Sequence, residues 1–179
     1  LTGAQETITG WTGLTLDAAK VYSSLNSATL TGLQHLVGES ISIVADGAIL
    51  PSQVVPATGE VVLSQVVQTA FVGLPYTCRG RCLPVEVPIR GQSGQRVRKR
   101  FVQLTARVEQ TAALVLNGER VPFRRPEHPM DQGVPPYSGD VSVTPLGWDR
   151  TGAITFVVDV PLCATLIGLF GLLDEEVAA

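Results

Sequence analysis

A mainly β fold is what this sequence predicts: antiparallel sheets in a sandwich or barrel-like arrangement, with long ordered loops and little helix. Three observations lead there. Residues 40–46 (SISIVAD) and 101–116 alternate apolar and polar side chains, the period of a strand with one buried face. Asp46-Gly47 and Asn117-Gly118 close those stretches, and such pairs favour the positive-φ turns of two-residue hairpins. Apolar residues at three- and four-residue spacing are scarce.

Taken in order, residues 16–27 (LDAAKVYSSLNS) are the exception, since Ala18, Val21, Tyr22 and Leu25 recur at helical spacing and predict a short helix. Residues 40–46 put Ile41, Ile43 and Ala45 on one face. Beyond the Asp46-Gly47 turn come residues 48–55, a turn at 56–59 (PATG) and residues 60–67, which together predict a meander. Residues 66–74 continue until Pro75, which has no amide hydrogen to give a ladder. Gly73 and Pro75 are therefore assigned to a strand end, and Gly47 and Gly118 to turns.

The long stretch 101–116 sets Val102, Leu104, Ala106 and Val108 against Gln103, Thr105, Arg107 and Glu109. Asn117-Gly118 joins it to residues 120–124. Residues 125–140 (RPEHPMDQGVPPYSGD) are loaded with Pro and Gly and predict an ordered surface loop. Strands at 141–144, 153–160 and 165–172 complete the chain. The longest apolar run, 161–173, has thirteen residues, short of the ~20 that a membrane helix needs, and predicts a core strand.

With 179 residues the chain can bury one good core or two small ones. The expected division is an N-terminal segment, 1–28, continuing from an upstream region, and a β-rich domain, 29–179. Hydrophobic residues make up 45% and charged ones 16%, too lean a covering of charge for a surface that stays wholly wet. Part of the surface is expected to meet a partner. The three cysteines, Cys78, Cys82 and Cys163, are too few for a secreted disulfide framework, which favours synthesis in a reducing compartment.

Charge is unevenly placed. From Arg79 to Arg125 eleven basic residues face three acids, a balance of +8; the rest of the chain has two basic residues against thirteen acids, −11. The centre of the bias is 90–101 (RGQSGQRVRKRF), whose Arg96, Arg98, Lys99 and Arg100 are the candidates for an assembly or polyanion contact. Aromatic residues are not interleaved with them, so stacking on single-stranded bases is poorly supported.

Candidate chemistry is thin. Residues 32–47 (GLQHLVGESISIVADG) superficially suggest a phosphate loop, but five residues separate Gly32 from Gly38, Glu39 stands where a lysine is needed, and a strand follows. His35 has no ligand at metal spacing and reads as a packed histidine. A Ser138/His128/Asp140 set has no Gly-x-Ser-x-Gly elbow to support it. The sixteen acids allow many carboxylate pairs, and exposed turn acids explain them equally well. No catalytic residue, metal site or cofactor is expected.

Several short motifs in a fixed order carry more weight. They are Gly32-Leu33-x-His35-Leu36-x-Gly38, Ile41-x-Ile43-x-Ala45-Asp46-Gly47, Val72-Gly73-Leu74-Pro75-Tyr76, the basic residues from Arg96 to Arg100, Tyr137-Ser138-Gly139-Asp140, Gly147-Trp148 and Pro161-Leu162. In these the chain resembles the C-terminal region of the nozzle, hub or stabilisation proteins of short-tailed (podovirus-type) phages, over about residues 29–172. Cys78 and Cys82 are not part of that pattern. The resemblance implies a non-enzymatic virion protein, assembled in host cytoplasm into a homo-oligomeric ring, typically a hexamer, below the portal and tail adaptor. Double-stranded DNA would pass through it in transit. The +8/−11 split, for its part, leads to the expectation that Arg96, Arg98, Lys99 and Arg100 face acids of an adjacent subunit or tail protein. A β-rich host-recognition module of a tail fibre or baseplate is the alternative, and it predicts exposed aromatics, which are only 6% of the chain.

Overall fold

The computed structural model describes residues 14–86, 97–130, 132–145 and 147–175. They form thirteen strands and one 3-10 turn, Gln34–Leu36, with every strand pair antiparallel. The mainly β expectation holds, as sheets that do not close into a barrel.

The first half of the chain supplies β1 (Leu16–Tyr22), β2 (Ser27–Leu30), β3 (Ser40–Ala45), β4 (Ala48–Val54), β5 (Val61–Val67) and β6 (Ala70–Pro75). A four-stranded sheet of order β1-β6-β3-β4 packs on the pair β2-β5. Leu30 and Val61 from the pair meet Ile41, Ile43 and Val72 from the sheet in one core, all of them at most 2% exposed. Ile41 and Ile43 face this core, but Ser42 and Val44 are buried as well, so β3 is covered on both faces where the alternation predicted one, and the turn after it is the mirror-image type that matches strand twist, with φ +47 at Asp46 and +79 at Gly47.

The second half supplies β7 (Cys78–Arg81), β8 (Lys99–Thr111), β9 (Val115–Leu116), β10 (Glu119–Arg120), β11 (Tyr137–Val143), β12 (Thr155–Val158) and β13 (Thr165–Glu175). Sheet β10-β9-β12-β7 and sheet β11-β8-β13 enclose a second core built on Leu104, Ala106, Val108, Leu114, Leu116 and Val158. The two halves touch where the Thr15 hydroxyl donates to Val160 O at 2.9 Å, and where Gly133 lies against the backbone of Gly47. A Cβ on Gly133 would fall 2.1 Å from Gly47 O, so only glycine fits that approach.

Several expectations are corrected. The helix expected over 16–27 is strand β1 followed by the start of β2. Its residues gain long-range partners that a helix would forgo: β1 pairs with β6, Lys20 Nζ donates to Thr31 O at 2.8 Å, and Tyr22 Oη donates to the same oxygen at 2.7 Å. Domain boundary 28/29 consequently falls inside β2, because residues 16–28 belong to the first core's sheets. The expected meander fails at β5, which leaves β4 to pair with β2, while β6 returns to β3.

The stretch 101–116 is not one strand. Gln110 has φ +45, β8 stops at Thr111, and the chain crosses to the other sheet to make β9. Beyond the Asn117-Gly118 turn (φ +45 and +86) the return strand is only β10, ended by Pro122 nearby. The surface loop gives up residues 137–140 to β11. The run 161–173 yields β13, which is an edge strand with one open face and not a core strand: Ile167, Phe170 and Leu172 are 60%, 52% and 61% exposed.

Pro75 is the last residue of β6, paired with Leu16. Gly73 lies opposite a bulge in β1 where Ala18 has φ +48, and a Cβ there would be 2.7 Å from Asp17 O.

Candidate functional site

The basic stretch is where sequence and geometry diverge most. Arg96 lies outside the described residues. Arg98 precedes β8, and β8 itself carries Lys99 and Arg100 on opposite faces. Arg100 points outward, donates from Nε and Nη2 to Asp174 Oδ2 at 3.1 and 2.8 Å, and stacks its guanidinium 4.9 Å from the Trp148 ring. Lys99 is turned into the protein and is 1% exposed. Neither residue therefore presents an unpaired surface charge, whereas the sequence had suggested free cations for an assembly or polyanion contact.

The same holds for much of the charge split. Antiparallel pairing of β8 with β11 and β13 sets acids of the C-terminal part beside arginines of the basic segment. Arg107 makes a two-point contact with Asp140 (Nε to Oδ1 and Nη2 to Oδ2, both 2.8 Å), and Arg120 Nη2 lies 2.6 Å from Asp159 Oδ2. The Arg107 hydrogen bond chiefly holds the Asp140 carboxyl below its ordinary value, desolvation opposing it and the Arg107 charge adding to it. Arg124 is consumed differently, donating to Pro129 O and Gln132 O at 2.8 Å and so tying down the Pro-rich loop.

A bulge explains the position of Lys99. Leu172 pairs with Gln103 but Leu173 pairs with Phe101, so Val102 is skipped and the inward parity changes from even to odd. Leu104, Ala106 and Val108 face the core; before the bulge Phe101 and Lys99 do, and Val102 is 39% exposed. Without the bulge Arg100 would point inward. The sequence signal was available only in the spacing of Phe101 from Lys99, which a strict alternation through Val102 overrides.

Lys99 lines a cleft of about 320 Å³ at the end of β8, together with Arg81, Arg100, Trp148, Asp149 and Thr151. The cleft is held by backbone: Lys99 N donates to Asp149 O at 2.6 Å and Asp149 N to Lys99 O at 2.7 Å. Gly152, at φ +56, lets the lysine stem pass, since a Cβ there would lie 3.2 Å from Lys99 Cδ. The Thr151 hydroxyl donates to Asp149 Oδ2 and accepts from Arg81 Nη2 at 3.4 Å. That hydroxyl chiefly, with backbone amides and the Arg81 charge adding to it, holds the Asp149 carboxyl below its ordinary value although burial opposes. No hydrogen bond or ion pair among the described residues reaches the Lys99 ammonium.

The other singled-out residues are engaged separately. His35 Nε2 lies 3.1 Å from Ala18 O, a contact that braces β1. His128 Nδ1 accepts from Arg125 N at 3.2 Å, Ser138 Oγ accepts from Gln110 N at 3.0 Å, and Asp140 is bound by Arg107, so these three are not brought together. Among the described residues no group of three or more His, Cys, Asp or Glu is placed to hold a metal ion. Cys78 is exposed, Cys82 half-buried and Cys163 buried; burial pushes the Cys163 thiol up. No helix in the described residues is long and apolar enough to cross a membrane.

Two apolar surfaces remain open. On the second half Ile167, Phe170 and Leu172 stand along β13, whose far edge pairs with no described strand. On the first half Ile49 and Val54 of β4 and Val62 and Val66 of β5 are 43% to 66% exposed. No protein-family model matches the chain, and no curated protein matches it.

Proposed function

We propose that this chain is a structural subunit of a phage tail that assembles with copies of itself into a ring, hexameric by family resemblance, around the path of exiting DNA. The ordered motifs from Gly32 to Leu162 support the reading, and one structural observation carries it: the open apolar face and unpaired edge of β13. A long apolar edge strand left bare invites pairing with another chain, and proteins normally shield such an edge. Here it bears no lysine, proline or inward charge between Thr165 and Leu173.

A ring requires two different surfaces that meet head to tail. The β13 face and the β4/β5 patch are two such surfaces on one chain. Arg100 and Arg107 of β8 are matched within the subunit by Asp174 and Asp140, on the sheet that carries β13. Neutralising those arginines within the chain also suits a conduit, because loose cationic side chains along a bore would bind phosphates and slow passage.

The test is the mass and symmetry of the purified protein, by native mass spectrometry and negative-stain electron microscopy. A sixfold ring with a central hole is the expected result. Threefold particles would move the reading to a fibre or baseplate module, and a monomer at all accessible concentrations would end it.

A further inference from the structure

Lys99 is an unusual residue to find 1% exposed, because an ammonium removed from water needs acceptors around it. None is supplied by the described residues. Its carboxylate-bearing neighbour in the cleft, Asp149, is committed to the Thr151 hydroxyl. There is space beside it on two sides: the cleft of about 320 Å³, and a smaller cavity of about 190 Å³ lined by Pro84, Lys99, Arg150 and Thr151. Arg81 borders the first and Arg150 the second. Lys99, Arg81 and the Asp174-bound Arg100 line the larger cleft, and the one carboxylate among its described lining residues, Asp149, already has its partner.

We propose that this space is a binding site for a phosphate group, with Lys99 as its buried anchor. A tetrahedral oxyanion presents oxygens in several directions, so one ligand can accept from the Lys99 ammonium at the floor and from Arg81 at the rim. Lys99 and Thr151 line both cavities, and the Thr151 hydroxyl, whose proton goes to Asp149, positions Arg81 by accepting from it. Arg100 contributes little charge of its own, being bound by Asp174, but its stacking on Trp148 closes one wall. Trp148 therefore reports on occupancy. The site is independent of the assembly reading, since it uses neither β13's outer face nor the β4/β5 patch.

The experiment titrates the intact protein with sodium phosphate at constant ionic strength, following Tm and tryptophan fluorescence. For a dissociation constant on the order of 1 mM, about 20 mM phosphate raises Tm by roughly 5 °C. Lys99→Met is expected to abolish the shift, and Arg81→Gln to weaken binding about tenfold. Sulfate acting like phosphate supports a tetrahedral-oxyanion site. Acetate acting equally well overturns the phosphate assignment, as does an unchanged wild-type Tm or a full shift retained by Lys99→Met. If Lys99→Met does not fold, Arg81→Gln and Arg150→Gln decide: a wild-type response in both overturns the proposal.

Discussion

Replacing Ile167, Phe170 and Leu172 by threonine should dismantle self-association and leave the subunit folded. The three side chains are 60%, 52% and 61% exposed, so a little over half of each remains to be covered by a neighbour. Full burial of such a side chain contributes about 1.5–3 kcal/mol, which makes the remaining share about 1–1.5 kcal/mol each and roughly 3–4 kcal/mol together. At 1.4 kcal/mol per decade this is a loss of about 10²–10³ in the association constant. Threonine keeps the β preference of the strand, and the core-facing Leu166, Leu169 and Leu173 are untouched. Sedimentation velocity over a dilution series measures the midpoint of assembly, and far-UV circular dichroism checks the fold. An assembly midpoint within about threefold of wild type, in a folded variant, would show that β13's outer face is not the contact and would refute the reasoning from exposed apolar area.

Other outcomes follow from single residues. Leu104→Ala, at a fully buried position of the second core, should cost about 2–5 kcal/mol, measured by urea unfolding. Gly73→Ala forces a Cβ to 2.7 Å from Asp17 O at the β1 bulge and should lower stability by about 1–3 kcal/mol, read in the same assay. Arg100→Glu should leave assembly nearly salt-independent and unaltered, because its pair with Asp174 is exposed and internal; strongly impaired assembly would restore an intermolecular role for it. Asp46 holds the backbone amide of Thr69 and, less closely, that of Gln68, and these bonds keep its carboxyl below the ordinary value. A depressed folded value means that its contribution is present above the ordinary carboxylate range and is lost as the pH falls through the folded value. Asp46→Asn should accordingly flatten the acid limb of a Tm–pH curve from about pH 4 downward.

What the sequence disclosed follows from how local the responsible physics is. The Asp46-Gly47 and Asn117-Gly118 turns, the inward set Ile41 and Ile43, and the stop at Pro75 all depend on neighbours a few residues away, and each is found where its local chemistry puts it. The failures are long-range. β1 looks helical because alanines and a well-spaced Tyr22 say so locally, but β6 offers it an unsatisfied edge fifty residues on. β7 has no apolar alternation to announce it, since its sequence is Cys-Arg-Gly-Arg, and it exists because β12 pairs with it; Phe156 lies so close over Gly80 that a Cβ would meet the ring at 2.0 Å. The inward turn of Lys99 escaped the sequence for the same reason, a bulge that goes with the register of β13.

Charge segregated along a chain is not charge segregated in space. The +8 and −11 segments are separate in sequence because β8 on one side and β11, β12 and β13 on the other are separate strands. Antiparallel pairing then brings β8 beside β11 and β13, where Arg107 meets Asp140 and Arg100 meets Asp174, and with Arg120 and Asp159 these pairs match part of the split within one subunit. Each pair is about half exposed and adds little to stability by itself. Its larger effect is on recognition: a surface whose charges are already matched offers a partner little electrostatic attraction, and shape and apolar area decide what it meets. That moves the expected seam between copies from the arginines of β8 to the side chains of β13, and leaves Lys99, a buried cation with no side-chain partner among the described residues, as a place where an anion has something to gain.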